Sequence, residues 1–294
     1  METPKKAYVF LAIGIILWAS TPAVAKLLLK NLDNFQVLFF TSLIATITLF
    51  SICVFQNKLK IISKYKKRDY FTFLYMGFLG VFLYYLFTFG SLKLIPAQES
   101  AIINYLWPIM VLIFATLILK EKLSIKKMLA IIISFFGAWI AVSKGNLFNL
   151  NFLNFYGVLL AFLGAVSYGL FSVLGKKQDY ERITSIFFYY LFSFILLLII
   201  IPFFTSIKFP SAIELIGLLW LGIFTSGIAY VFWFLSLKYG ETSKMTNLIY
   251  LTPFVALIYI YFLTGEKILT SSIIGLFIVI IGILIQVIKF KKFA

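Results

Sequence analysis

Runs of about 20 apolar residues, separated by short polar joints, recur through almost the whole of this 294-residue chain. A backbone surrounded by hydrocarbon has no water to satisfy its N–H and C=O groups, so a run of that length reads as a membrane-crossing helix. Marking runs and breaks gives ten spans, near 7–29, 34–55, 71–91, 95–119, 126–143, 154–175, 184–204, 212–236, 244–263 and 270–288. The composition agrees: 63% hydrophobic, 12% charged and mean hydropathy +1.06, too apolar for a soluble domain of this size. The expected fold is an all-α polytopic membrane protein. The first run is longer than the apolar core of a cleaved leader and is read as a permanent helix. The longest basic joint is only "QNKLKIISKYKKRDY", which leaves no room for a catalytic domain outside the membrane part.

The formal charge of +16 invites a nucleic-acid reading, but the basic residues sit in the joints, where lipid headgroups and the positive-inside rule account for them. With the N-terminus placed in the cytoplasm, twenty of the 26 basic residues fall on the inner side, from Lys5 and Lys6 through Lys58–Arg68 to Lys289, Lys291 and Lys292. Lys26, Lys30, Lys93, Lys144, Lys208 and Lys267 remain for the other side. That bias predicts an even number of spans, both termini cytoplasmic, and a multi-pass protein of the inner or plasma membrane. A single cysteine, Cys53, excludes an internal disulfide and a thiolate cluster, and the absence of histidine removes the commonest metal ligand and general base. No cofactor, no metal and no nucleic-acid partner is expected.

An internal repeat organises the spans. "SLKLIPAQESAIINYLWPIMVLIFATLILKEKLS", from Ser91, aligns without a gap on "SLKYGETSKMTNLIYLTPFVALIYIYFLTGEKIL", from Ser236. The register pairs Tyr105 with Tyr250, Pro108 with Pro253, Glu121 with Glu266 and Gly137 with Gly282. It extends backward to "YYLFTFGSLK" facing "YVFWFLSLK", with Trp18 near Tyr168 and Lys26 near Lys176. The expected units are 1–148 and 149–294, each of five helices. Because five is odd, the second enters the membrane inverted, the architecture of carriers that work by alternating access. Pro108 and Pro253 are read as paired helix bends in the fourth and ninth spans.

"GIILWASTPAVAK" in the first span, the proline in the fourth and ninth, and "KEKLS" and "GEKIL" after them resemble the drug/metabolite transporter superfamily in its ten-span EamA-type branch. "NYLWP", 104–108, is similar to the matching stretch of aromatic amino acid exporters of the YddG type. The resemblance covers about 7–288 and implies a central cavity lined mainly by the first, third, fourth, sixth, eighth and ninth spans. It also implies export of small metabolites. Lys120 departs from the family's more usual glycine before Glu121.

Candidate binding residues follow from chemistry and register. Trp18 and Pro22 lie one helical turn apart, and Trp107 lies three residues past Asn104. Their rings suit an aromatic side chain or a cationic amine, or else anchor and pack helices. Asn104 is a carboxamide at membrane depth that needs a helix, water or a ligand as partner. Its repeat equivalent is Ile249, so the polarity is unpaired. Tyr84, Tyr85, Tyr168, Tyr230 and Trp233 are further wall candidates, and Asn247, Thr246 and Thr252 form a polar strip in the ninth span. Glu99 either attracts an amine and titrates in proton-coupled transport, or reaches water or pairs with Lys93 or Lys26. Glu121 and Glu266 are assigned to helix capping, lysine pairing or gating. The expected function is a secondary transporter, not an enzyme, exporting aromatic or other apolar amino acids; organic cations such as choline, or a membrane-embedded lipid enzyme, are the alternatives. Its partners are the small-molecule substrate and membrane lipids.

Overall fold

The computed structural model describes residues 3–146 and 155–287. The expected unit boundary at 148/149, the last residue of the tenth predicted span and Lys289, Lys291 and Lys292 lie outside them. Within them the chain is helical, in the order α1 (Thr3–Ala19), α2 (Thr21–Leu28), α3 (Asn34–Phe55), α4 (Leu59–Ile62), α5 (Lys67–Gly77), α6 (Tyr84–Leu94), α7 (Ala97–Asn104) and α8 (Trp107–Ile118). There follow α9 (Ile125–Val142), α10 (Phe155–Gly175), α11 (Arg182–Phe204), α12 (Ala212–Leu219), α13 (Ala229–Tyr239), α14 (Thr242–Leu248), α15 (Thr252–Tyr259) and α16 (Thr270–Val287). Among the described residues, nine continuous or nearly continuous helices are long and apolar enough to cross a membrane, and Thr270–Ile285 is a shorter apolar one. The chain is thus an all-α polytopic membrane protein.

Short polar residues start the helices where the apolar runs begin. Asp33 accepts a hydrogen bond from the Gln36 amide at 2.9 Å, and Ser211 with Glu214 makes a reciprocal capping box on α12. Small residues then let backbones meet. A Cβ on Gly137 would lie 2.6 Å from the Gly275 carbonyl, so α9 and α16 pack backbone against backbone. Elsewhere α11 lies on α3, α10 on α6 and α8, and α1 on α13.

Three crossings are interrupted part-way along their length. The first breaks at Ser20 between α1 and α2, the fourth at Tyr105 and Leu106 between α7 and α8, and the ninth at a 3-10 turn over Ile249–Leu251. Pro22, Pro108 and Pro253 each fall in the first turn of the segment after the break. A proline inside a helix costs about 3 kcal/mol, but in a first turn its missing N–H would have had no intrahelical partner anyway. The third and eighth crossings stay continuous but widen into π-helical stretches, Phe78–Leu83 and Trp220–Ile228. Helix starts at Tyr84 and Ala229, at Ala97 and Thr242, and at Trp107 and Thr252 are each 145 positions apart.

Candidate substrate cavity

The three breaks converge. The first residues of the three following segments, Thr21, Trp107 and Thr252, all line one central cavity of about 170 Å³. Pro22, Tyr84, Asn104, Tyr168 and Tyr230 share the wall, joined by Tyr85, Thr88, Ser100, Tyr105 and Tyr250. No charged side chain is among the described residues lining it. A broken helix leaves backbone dipoles and unpaired groups beside the break, and hydrocarbon tolerates these only against protein or a cavity.

Asn104 is the polar hub. Its Oδ1 accepts from Tyr84 Oη at 3.1 Å, and its Nδ2 donates to Thr88 Oγ1 at 3.1 Å, while Thr88 donates to the Tyr84 carbonyl at 2.7 Å. The carboxamide is therefore held by the third crossing and still borders the cavity, and Gly164 gives it room: a Cβ there would lie 3.2 Å from Nδ2. Ser100 Oγ is buried on the same wall with no hydrogen-bond partner among the described residues.

Aromatic rings form the rest of the wall. Tyr168 meets Trp107 edge-on at 5.1 Å and Tyr84 at 4.7 Å. Trp18 stands edge-on to Tyr230 at 5.3 Å and 6.1 Å from Trp233. Its indole N–H donates at 3.0 Å to the carbonyl of Thr225, inside the widened stretch of the eighth crossing. Trp18, Tyr168 and Tyr230 also border a second chamber of about 480 Å³, a vestibule running to Gly175, Lys176, Asp179 and Arg182. The three rings are the septum between the two chambers.

The far end of the bundle is tied by polar groups. Lys26 Nζ donates to the carbonyls of Leu92 at 2.5 Å and Ile95 at 2.8 Å. Glu266 accepts from the Ala97 amide at 2.8 Å and the Gln98 amide at 3.4 Å, capping α7. The Gln98 side chain donates to the Lys267 carbonyl at 2.9 Å and accepts from the Leu269 amide at 3.0 Å. Glu99, almost fully buried, faces Lys144 at 3.6 Å and lines neither chamber. At the vestibule end, Glu121 bonds Lys127 at 3.1 Å and Lys176 at 3.2 Å, and these hydrogen bonds, that of Lys127 first, hold its carboxyl below the usual range.

Of the residues singled out from sequence, Trp18, Pro22, Tyr84, Asn104, Trp107, Tyr168, Tyr230 and Thr252 meet at the cavity, while Trp233 lines the vestibule. Asn247 and Glu99 line neither chamber, and Pro108 and Pro253 shape the breaks without lining them. The sequence does not single out Thr21, Thr88 and Ser100: isolated hydroxyls leave little mark in an apolar run, and that of Thr88 back-bonds to the Tyr84 carbonyl of its own helix. In the sequence Tyr105 and Tyr250 read only as repeated scaffold, and their repetition is itself the signal that marks them.

The EamA-like transporter family model matches this chain twice, over residues 5–143 and 155–288, and the chain belongs to that family. It is therefore a membrane transporter of small metabolites within the drug/metabolite superfamily, not an enzyme. An uncharacterized transporter of Archaeoglobus fulgidus is 26% identical over 97% of this chain and 98% of its own. One from Clostridium kluyveri is 26% identical over 98% and 95%, and the transporter YoaV of Bacillus subtilis is 23% identical over 95% and 97%. A solved crystal structure shares the fold, with TM-score 0.67 at 20% identity over 96% of each chain.

Proposed function

We propose that the chain exports aromatic or other apolar amino acids by alternating access, as a secondary carrier of two inverted five-helix repeats, 1–148 and 149–294, with both termini cytoplasmic. The observation that carries this reading is the uncharged cavity, walled by Trp18, Trp107, Tyr84, Tyr168 and Tyr230 and floored by Asn104 and Ser100 hydroxyl and amide groups, at the meeting of three helix breaks. An amino acid would set its ring or apolar side chain against the aromatic wall. Its carboxylate would face the positive ends of α2, α8 and α15, which start at the cavity. The volume lies below the roughly 300–1,000 Å³ of drug-sized sites, which favours a small metabolite. Two matches to one family model and the common register of helix starts support the repeat; the distribution of lysines supports the sidedness.

Counterflow in proteoliposomes loaded with phenylalanine, leucine or choline tests the substrate. Exchange of labelled phenylalanine is expected, and exchange with choline alone would overturn the assignment. The aromatic wall is what favours the choline reading, through cation–π attraction; the lack of a lining carboxylate weighs against it. We extend the proposal to proton coupling through Glu99, the almost fully buried carboxyl whose Oε1 faces Lys144 at 3.6 Å. Glu99→Gln should flatten the pH dependence of uptake, and an unchanged profile would remove Glu99 from that role.

A further inference from the structure

The two ends of the bundle hold repeat-equivalent residues in different states. At the closed end, Lys26 and Glu266 bind backbone groups of other crossings: the carbonyls of Leu92 and Ile95 and the amides of Ala97 and Gln98. The repeat places Lys176 opposite Lys26 and Glu121 opposite Glu266. At the vestibule end these two bind each other at 3.2 Å. The backbone groups equivalent to those gripped at the closed end are the carbonyls of Leu237 and Gly240 and the amides of Thr242 and Ser243. They belong to the end of α13 and the start of α14; the N-cap residue of α14, Glu241, makes no side-chain cap among the described residues, whereas the amides at the start of α7 are bound by Glu266.

We propose that these four residues are an exchanging latch. This rests on the carrier reading above. Glu266 and Lys26 shut one end in the state seen here. When that end opens, Glu121 and Lys176 release each other, Glu121 caps α14 and Lys176 takes the carbonyls of Leu237 and Gly240, shutting the vestibule. Each acid–base pair is thus either closed on backbone or parked, and the two are used in turn. The latch is unequal. Gln98 adds two bonds at the closed end, while its repeat equivalent is the shorter Ser243, so the state with the vestibule open is the favoured one.

The test uses the full chain in liposomes, with Cys53→Ser and a reporter Ile186→Cys on the vestibule wall, labelled by a membrane-impermeant maleimide. Glu266→Gln should lower the open-to-closed ratio at the vestibule about tenfold, the shift expected from weakening charge-assisted hydrogen bonds. Glu121→Gln should not lower it, and the double variant should restore labelling toward the parent. Lys176→Met provides a second variant at the same end and should behave as Glu121→Gln. Equal labelling in all variants, or a fall with Glu121→Gln, would overturn the latch. Phenylalanine counterflow on the same vesicles separates the two readings: transport without opposed labelling shifts refutes the latch alone, and opposed shifts without transport refute the substrate alone.

Discussion

Replacing Asn104 by aspartate tests the cavity's selectivity with little change of shape. The side chains are isosteric, and Oδ1 keeps its 3.1 Å hydrogen bond from Tyr84. The donor to Thr88 is lost, and the Thr88 hydroxyl must turn from the Tyr84 carbonyl to satisfy the new oxygen. The larger consequence is a negative charge in a cavity lined by none. Two unit charges about 4 Å apart at an effective dielectric near 20 interact by about 4 kcal/mol. Water in the cavity and the amino acid's own ammonium reduce that figure, so about 1.4 kcal/mol, tenfold in affinity, is the smallest effect compatible with the reasoning. Ligand-induced stabilisation of the purified protein, titrated with phenylalanine and with choline, reads it out. Phenylalanine should weaken at least tenfold and choline should tighten. Unchanged affinity for both would mean that Asn104 does not face the ligand.

Gly137→Ala should lower thermal stability in detergent by roughly 1–3 kcal/mol through overpacking, since its Cβ would lie 2.6 Å from the Gly275 carbonyl and 2.7 Å from the Val279 amide. Lys120 and Gly265 occupy equivalent repeat positions and both take left-handed backbone, at φ 54 and φ 73. Gly265→Ala, with open space around it, should therefore destabilise by about 1 kcal/mol in the same assay, while Lys120→Gly should be neutral or stabilising. Glu121, whose folded pKa is depressed, contributes stability present above the ordinary carboxylate value of about 4.3 and lost as pH falls through the lower folded value. Thermal unfolding followed through that acid range should lose this component in the parent and not in Glu121→Gln.

The crossings were legible because apolar runs of span length admit few structures in lipid. Each predicted span from 7–29 to 244–263 overlaps one of the nine long helices. The register also pairs Pro108 with Pro253, and both fall in the first turn of a restarted helix, α8 and α15. A bend was expected there, and the structure has a break, because proline in a first turn gives up no hydrogen bond. The first-span break at Ser20 was not anticipated, although Pro22 marked it. The cavity was partly legible: Asn104 stood out as an unpaired polar residue, but its partners Tyr84 and Thr88 depend on which face of α6 turns toward α7. The 35 phenylalanines and 17 tyrosines of the chain hide the few rings that reach the cavity. Glu99 shows the opposite limit: a carboxylate in an apolar run draws the eye, and its position faces Lys144, a residue 45 positions away in sequence.

The interrupted crossings also constrain how the protein is made. Half-helices of eight residues, such as α2 and α7, are about 12 Å long and cannot span the roughly 30 Å hydrocarbon core alone. The backbone exposed at the first break, beside Ser20, is sheltered partly by Trp220 of the eighth crossing, whose indole donates to the Ser20 hydroxyl at 2.8 Å. That shelter is synthesised 200 residues later. The N-terminal crossing is thus among the last to gain its full set of contacts, and the central cavity closes around it only when the C-terminal half arrives.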